Sequence, residues 1–171
     1  MVLYEGVDEL ALTSITDTYP RSFASTIRVV APERTVIRSR HGLDLVPRWS
    51  FADAPALDRL LVPGDAVPAA TVQAVAHWAE AHGQPRAEYL HRDAAGSFAY
   101  DAALRDMARR DSRDLAIAAA RGLEYPIEQA TLAGAAFPYD LLPRPAVLSL
   151  LGLLAALGVG RIRPARRPAV A

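Results

Sequence analysis

The sequence predicts an α/β domain on a mostly parallel sheet, with a hydrophobic helix added at its C-terminal end. Three observations carry this expectation. Short β-branched or leucine-rich runs ("VLY", "TIRVV", "DRLLV", "RAEYL") alternate with segments of helical periodicity, as in strand–helix–strand crossovers. Apolar residues make up 51% of the 171-residue chain, enough for one buried core of ordinary size. A charge-free run, "AVLSLLGLLAALGVG" at 146–160, stands beyond a stretch rich in Pro, Gly and Ala.

Taken in order, "MVLYEG" reads as a first buried strand stopped at Gly6, with no signal-peptide pattern ahead of it. Residues 8–24 read as a helix that Pro20 ends or kinks. "TIRVVAP" is a second buried strand closed by Pro32, and "TVIRSRHGLDLVP" holds two alternating runs around "RHG", a hairpin. "DRLLVPGD" is another buried strand with a sharp stop at Pro63–Gly64. From Pro68 to His82 the spacing predicts a helix that places Val72, Val75, Ala76 and Ala79 on one face, with Gly83 just past its end. "RAEYLHR" is the next strand. Ser97 reads as the N-cap of a helix with Tyr100, Leu104 and Met107 on one side, and Ser112 opens another that runs until Pro126. The expected organisation is an α/β domain over 1–126, a linker over 127–145, a transmembrane helix over 146–160 and an Arg-rich tail over 161–171.

Charge and composition remove several functions. With 19 basic and 19 acidic residues the formal net charge is zero, so the basic excess of a nucleic-acid binder is missing and no such partner is expected. The absence of cysteine removes disulfides, thiolate zinc sites and thiol catalysis together. No cofactor and no metal site are expected.

The C-terminal run invites a membrane reading. Its fifteen residues would reach ~22 Å as a helix, against roughly 30 Å of hydrocarbon. It is apolar all round, and four arginines in the last eleven positions suit anionic headgroups on a cytoplasmic flank. The expectation is an anchor with its C-terminus inside and the domain outside. A domain outside without an export signal fits the C-terminal part of a larger membrane protein. The alternative is a buried core helix in a cytoplasmic protein.

Several stretches together resemble the PfpI/ThiJ family of the class I glutamine amidotransferase-like superfamily. They are "VLYEGVDEL" at 2–10, "VVAPERTVIRSRHGLDLVPRWSFADAP" at 29–55, "DRLLVPGD" at 58–65 and the helical pair "FAYDAALRDMARRDSRDLAIAAARGLEYP" at 98–126. Order and spacing both agree over roughly residues 2–126. The resemblance implies a reduced flavodoxin-like sandwich, with helices on both faces of the sheet. Active members use a cysteine on a tight strand-to-helix turn. On that pattern Leu90 occupies the nucleophile position, His91 the following histidine and Arg92 the glycine. The family's acid partner falls on Ala11, after Asp8 and Glu9. Both halves of the catalytic pair are missing.

Other polar residues are weaker candidates. His91 with Arg92 and Asp93 reads as a polar strand end, since no G-x-S-x-G pattern supplies a nucleophile. His77 and His82, five apart on one helix, splay by about 140° and do not share a metal. The run Arg38–His41 could grip an anion but reads as solvated surface at a hairpin tip. The "VPGD" turn lies at the carboxyl end of a strand, where ligands bind in open α/β sheets. Glu5, Gly64, Asp65 and His91 would then face one crevice. The expected function is therefore a catalytically inactive, membrane-tethered PfpI-like domain with a structural or partner-binding role, working as a homo-oligomer or beside a companion PfpI-like domain. The alternatives are a ligand-sensing module of a regulator, or a hydrolase, deglycase or glyoxalase using a non-Cys site.

Overall fold

In the computed structural model the described residues are 1–94, 96–126, 132–136 and 143–160. They fall in two compact units, Met1–Phe137 and Pro138–Ala171. Of the expected linker only 132–136 and the start of the last helix are described, and the tail at 161–171 lies outside the described residues.

The first unit is built on a parallel sheet whose ladders are very short. Strand β1 (Val30–Ala31) pairs parallel with β4 (Trp49–Ser50), and β5 (Leu60–Leu61) pairs parallel with β6 (Ala87–Glu88). The N-terminal segment joins the two pairs. Val2 bridges Val30 in parallel, Leu3 N–H donates to Val30 O at 2.8 Å, and Val2 N–H donates to Leu61 O at 2.9 Å. The lateral order is β4, β1, the N-terminal segment, β5, β6. Each ladder is only two residues long, and Pro32, Pro47 and Pro63 stand beside β1, β4 and β5. Proline has no N–H to give a ladder, which keeps the pairing short. The predicted hairpin forms as β2 (Ile37–Arg38) against β3 (Asp44–Leu45), antiparallel, turning at Gly42 with φ +92°.

Helices cover both faces. Helix α1 (Glu9–Thr18) is capped by Asp8, whose Oδ1 accepts from Ala11 N–H at 2.8 Å, and it buries Ala11, Ser14, Ile15 and Thr18. It stops two residues before Pro20, and Pro20–Ser22 form a 3₁₀ turn instead of continuing the expected helix to 24. Helix α2 (Ala69–Ala81) buries Val75, Trp78 and Ala79. Trp78 therefore takes the place in the core that the sequence assigned to Ala76, stacking on Phe51 with centroids 4.2 Å apart and donating its indole N–H to Phe51 O at 2.8 Å. Helix α3 (Ala99–Arg110) begins one residue later than expected. Its N-cap is Phe98, which gives no side-chain cap bond, while Ser97 Oγ donates to Ala94 O at 2.7 Å. Helix α4 (Arg113–Gly122) opens as predicted, with Ser112 Oγ accepting from Leu115 N–H at 3.0 Å.

The core has two parts because strand side chains alternate between faces. Leu60 joins Val2, Val7, Val30, Val62, Val75 and Trp78, under α2. Leu61 joins Ile15, Leu104, Met107, Ala116 and Ala120, under α1, α3 and α4. A polar cluster ties the second face together. Asp106 of α3 is almost fully buried; its Oδ2 accepts from Tyr19 Oη at 2.5 Å and pairs with Arg59 Nη1 at 2.8 Å. Arg59 also forks onto Glu88 of β6 at 2.7 and 3.2 Å, and Arg110 bridges Glu88 and Asp106.

In the second unit helix α5 (Pro143–Gly160) covers the apolar run. The expected transmembrane helix at 146–160 is corrected here. Eighteen residues give ~27 Å, short of a roughly 30 Å hydrocarbon core, and the first turn holds Pro143, Arg144 and Pro145. Among the described residues no helix is long and apolar enough to cross a membrane. Leu148, Leu150, Leu151, Leu153 and Leu154 are all exposed.

Candidate functional site

Chain direction across the sheet reverses at the N-terminal segment: the following strand, β1, lies on one side of it and β5 on the other. Loops leaving the carboxyl ends of neighbouring strands diverge at such a point and leave a crevice. Here the loop after the N-terminal segment supplies Asp8, the turn after β5 supplies Gly64 and Asp65, and His91 follows β6. Together with Arg40, Ala11 and the 96–99 turn, Asp8, Asp65 and His91 line a cavity of about 190 Å³.

Tyr4 fixes the turn after β5. Its hydroxyl donates to Pro63 O at 2.7 Å, and burial pushes the phenol up to about 12. Gly64 sits directly above at φ +99°, where a Cβ would lie 2.6 Å from Tyr4 Oη. Conformation and space both demand glycine at this position.

His91 is 5% exposed and both its ring nitrogens are engaged. Gly64 N–H donates to Nδ1 at 3.3 Å, and Nε2 lies 3.0 Å from Ser14 Oγ. A backbone amide can only donate, so Nδ1 carries a lone pair and the neutral ring carries its proton on Nε2, a tautomer assigned from this network. Nε2–H then donates to Ser14, whose hydroxyl donates onward to Ala11 O at 2.8 Å. Burial pulls the His91 pKa below its usual value, against the opposing influence of the Ala99 backbone, Asp8 and Asp65. A serine–histidine dyad needs the reverse arrangement, with Nε2 accepting from the hydroxyl and Nδ1–H held by an acid. The arrangement is a structural tie between α1 and the β5 turn.

Arg40 crosses the mouth of the crevice. Its Nη1 pairs with Asp8 Oδ2 at 2.9 Å and its Nη2 approaches Asp65 Oδ1 at 3.8 Å. Arg38, Arg40 and His41 are exposed, as expected of a hairpin tip, while Ser39 is buried and every side chain of the run meets an acid. Arg38 pairs with Asp44 at 2.9 Å, Ser39 Oγ donates to Glu9, and His41 pairs with Glu9 at 2.5 Å. The Ser39 hydroxyl, then His41, hold Glu9 down to about 2.

Of the four residues expected in one crevice, Asp65 and His91 line it, and Gly64 only touches His91 through its N–H. Glu5 does not line it; its carboxylate accepts from Arg38 N–H at 3.2 and 3.3 Å on the hairpin side. Leu90 packs against the second core cluster and borders a different cavity of about 280 Å³. Ala11, where the resemblance places an acid, presents a methyl group to the crevice. Ser14 was missed as a site residue although it carried a signal, a polar residue on the buried stripe of α1, and Arg40 was considered only as part of the Arg38–His41 run. His77 is exposed, and His82 Nδ1 lies 3.0 Å from Trp78 O. Among the described residues no three His, Cys, Asp or Glu side chains could hold a metal ion.

No family model and no curated protein matches the sequence. Solved structures are similar in fold. Oxidised DJ-1 from Toxoplasma gondii matches at TM-score 0.54 and 15% identity, over 72% of this chain and 96% of that one. A ThiJ/PfpI family protein from Pseudomonas syringae matches at TM-score 0.54 and 18% identity, over 89% of this chain and 84% of that one. The chain has the α/β fold of the DJ-1 and ThiJ/PfpI proteins, in a form that carries no cysteine.

Proposed function

We propose that the protein is a non-catalytic DJ-1/PfpI-type domain whose role is structural or partner-binding, with a second copy or a companion domain of the same fold as the partner. The observation that carries this reading is the state of His91. It is the one histidine in the crevice, its nitrogens are committed to Gly64 and Ser14, and its proton is on the wrong nitrogen for general-base work. Leu90 and Ala11 supply neither nucleophile nor acid, and Arg40 is neutralised by Asp8 and Asp65.

The test is turnover by the full chain with methylglyoxal and with a simple amide at micromolar protein, beside sedimentation over a hundredfold concentration range. No turnover above buffer and a concentration-dependent mass support the proposal. Turnover that disappears in His91→Asn would replace it with a non-Cys enzyme. A ligand-sensing module is the second reading, and the crevice of about 190 Å³ favours it. Thermal stabilisation by a metabolite, lost in Asp65→Ala, would select it.

A further inference from the structure

A second concave site lies between α1 and the end of α4, sharing only Phe98 with the crevice. Three rings meet there. Phe98 lies 5.5 Å from Tyr100 and 5.9 Å from Tyr125, with planes within 15° of parallel, and Tyr100 and Tyr125 are 6.4 Å apart. The rings, with Asp17, Arg21 and Glu124, border a cavity of about 480 Å³.

Helix stability does not account for this arrangement. Phe98 occupies the N-cap of α3, where Ser, Thr, Asp or Asn would satisfy a free amide, yet it makes no cap bond and is 48% exposed. Glu124 stands at φ +55° as the residue that closes the end of α4, with Tyr125 N–H donating to Ala120 O at 2.9 Å, and this turn sets its carboxylate on the rim beside Tyr125. The exposed ring in a capping position is a departure from what folding favours, and it stacks with the two tyrosines on the same rim.

The electrostatics select the ligand. Tyr100 Oη donates to Asp17 at 3.0 Å, and Tyr125 Oη donates to Asp101. A phenol that donates to a carboxylate gains electron density in its ring, which strengthens the negative ring face. Burial, then Asp101, pushes the Tyr125 pKa up to about 12, so the phenol remains protonated. Asp17 and Glu124 outnumber Arg21 on the rim. Electron-rich rings beside net negative charge attract a desolvated organic cation. We propose that the Phe98–Tyr100–Tyr125 surface binds a small alkylammonium ligand, held over the rings and neutralised by Glu124.

The probe is choline, set against its neutral carbon isostere 3,3-dimethylbutan-1-ol at matched ionic strength. Binding to the full chain is followed by the aromatic NMR resonances of Phe98, Tyr100 and Tyr125. The expected result is saturable shifts with choline at a concentration at least tenfold below that needed for the isostere. Glu124→Gln should weaken choline at least threefold and leave the isostere unchanged, and Phe98→Ala should abolish saturation. Glu124 is exposed, so its variant decides the question even where Phe98→Ala fails to fold. Equal responses to both compounds, no saturation, or an unchanged choline affinity in Glu124→Gln would each overturn the proposal.

Discussion

Gly64 is held in place by two separate constraints, and single substitutions pull them apart. Any side chain there meets a left-handed backbone, and a Cβ also meets Tyr4 Oη. Gly64→Ala should destabilise by roughly 2–4 kcal/mol, from backbone strain plus overpacking. Adding Tyr4→Phe removes the oxygen, so the double variant should be more stable than the sum of the two single changes, measured by urea unfolding. His91 gives a pH signature. Its folded pKa lies below the unfolded value of ~6.5, so in that window the unfolded chain binds the extra proton and acid favours unfolding. This contribution is fully present above pH ~6.5 and is lost as the pH falls toward the folded value. His91→Asn should cost about 1–3 kcal/mol at pH 7 and flatten the stability profile below pH 6.5. A variant with the wild-type slope would remove His91 as its source. Neither effect was legible in the sequence: Gly64 answers to Tyr4, far earlier in the chain, and His91 to residues 27 and 77 positions distant.

Where local chemistry decides an element, the sequence located it well. Ser112 caps α4, Asp8 caps α1, "RHG" turns the hairpin and Pro20 lies just past a helix end. Where tertiary contact decides, the sequence fell short. The expected strand runs became two-residue ladders, since prolines limit pairing while burial holds the flanking residues. Trp78 entered the core because Phe51, 27 residues earlier, offered both a ring and a carbonyl. The hairpin tip is solvent-facing as read, but its ties to Asp8 and Glu9 were not legible for the same reason, since those two acids belong to another element. Glu9 is the anchor of that docking. Its carboxylate is held down to about 2 by Ser39 and then His41, so the stabilisation is complete above the unfolded value of ~4.3 and fades from there down to pH ~2. Glu9→Gln should flatten the acid limb of the stability curve between those limits and speed hydrogen exchange at Leu43 N–H, which donates to Ser39 Oγ at 2.8 Å. Unchanged exchange at Leu43 would mean the hairpin is held by its backbone alone.

At the scale of the whole first unit, the α1–α3–α4 face depends on Asp106. Its carboxylate answers Tyr19, Arg59 and Arg110, so Asp106→Ala leaves the Tyr19 phenol without its partner and two guanidinium groups sharing Glu88 alone. The expected loss is about 3–5 kcal/mol, enough to unfold a marginal domain; a loss under 1 kcal/mol would show that Glu88 alone satisfies both arginines. The fold class was legible from alternating runs, but the order of strands was not, because nothing local says which strand is central. The central one is the N-terminal segment, flanked by Val30 and Leu61. A chain emerging from a ribosome therefore exposes the middle of its sheet first, carries "MVLY" unpaired until Val30 is out, and completes its other side only with Leu61. Closing those long loops precedes any reward from the ladder, so the domain has no local hairpin nucleus at its centre. Its earliest synthesised strand is the one most in need of protection while the rest is made.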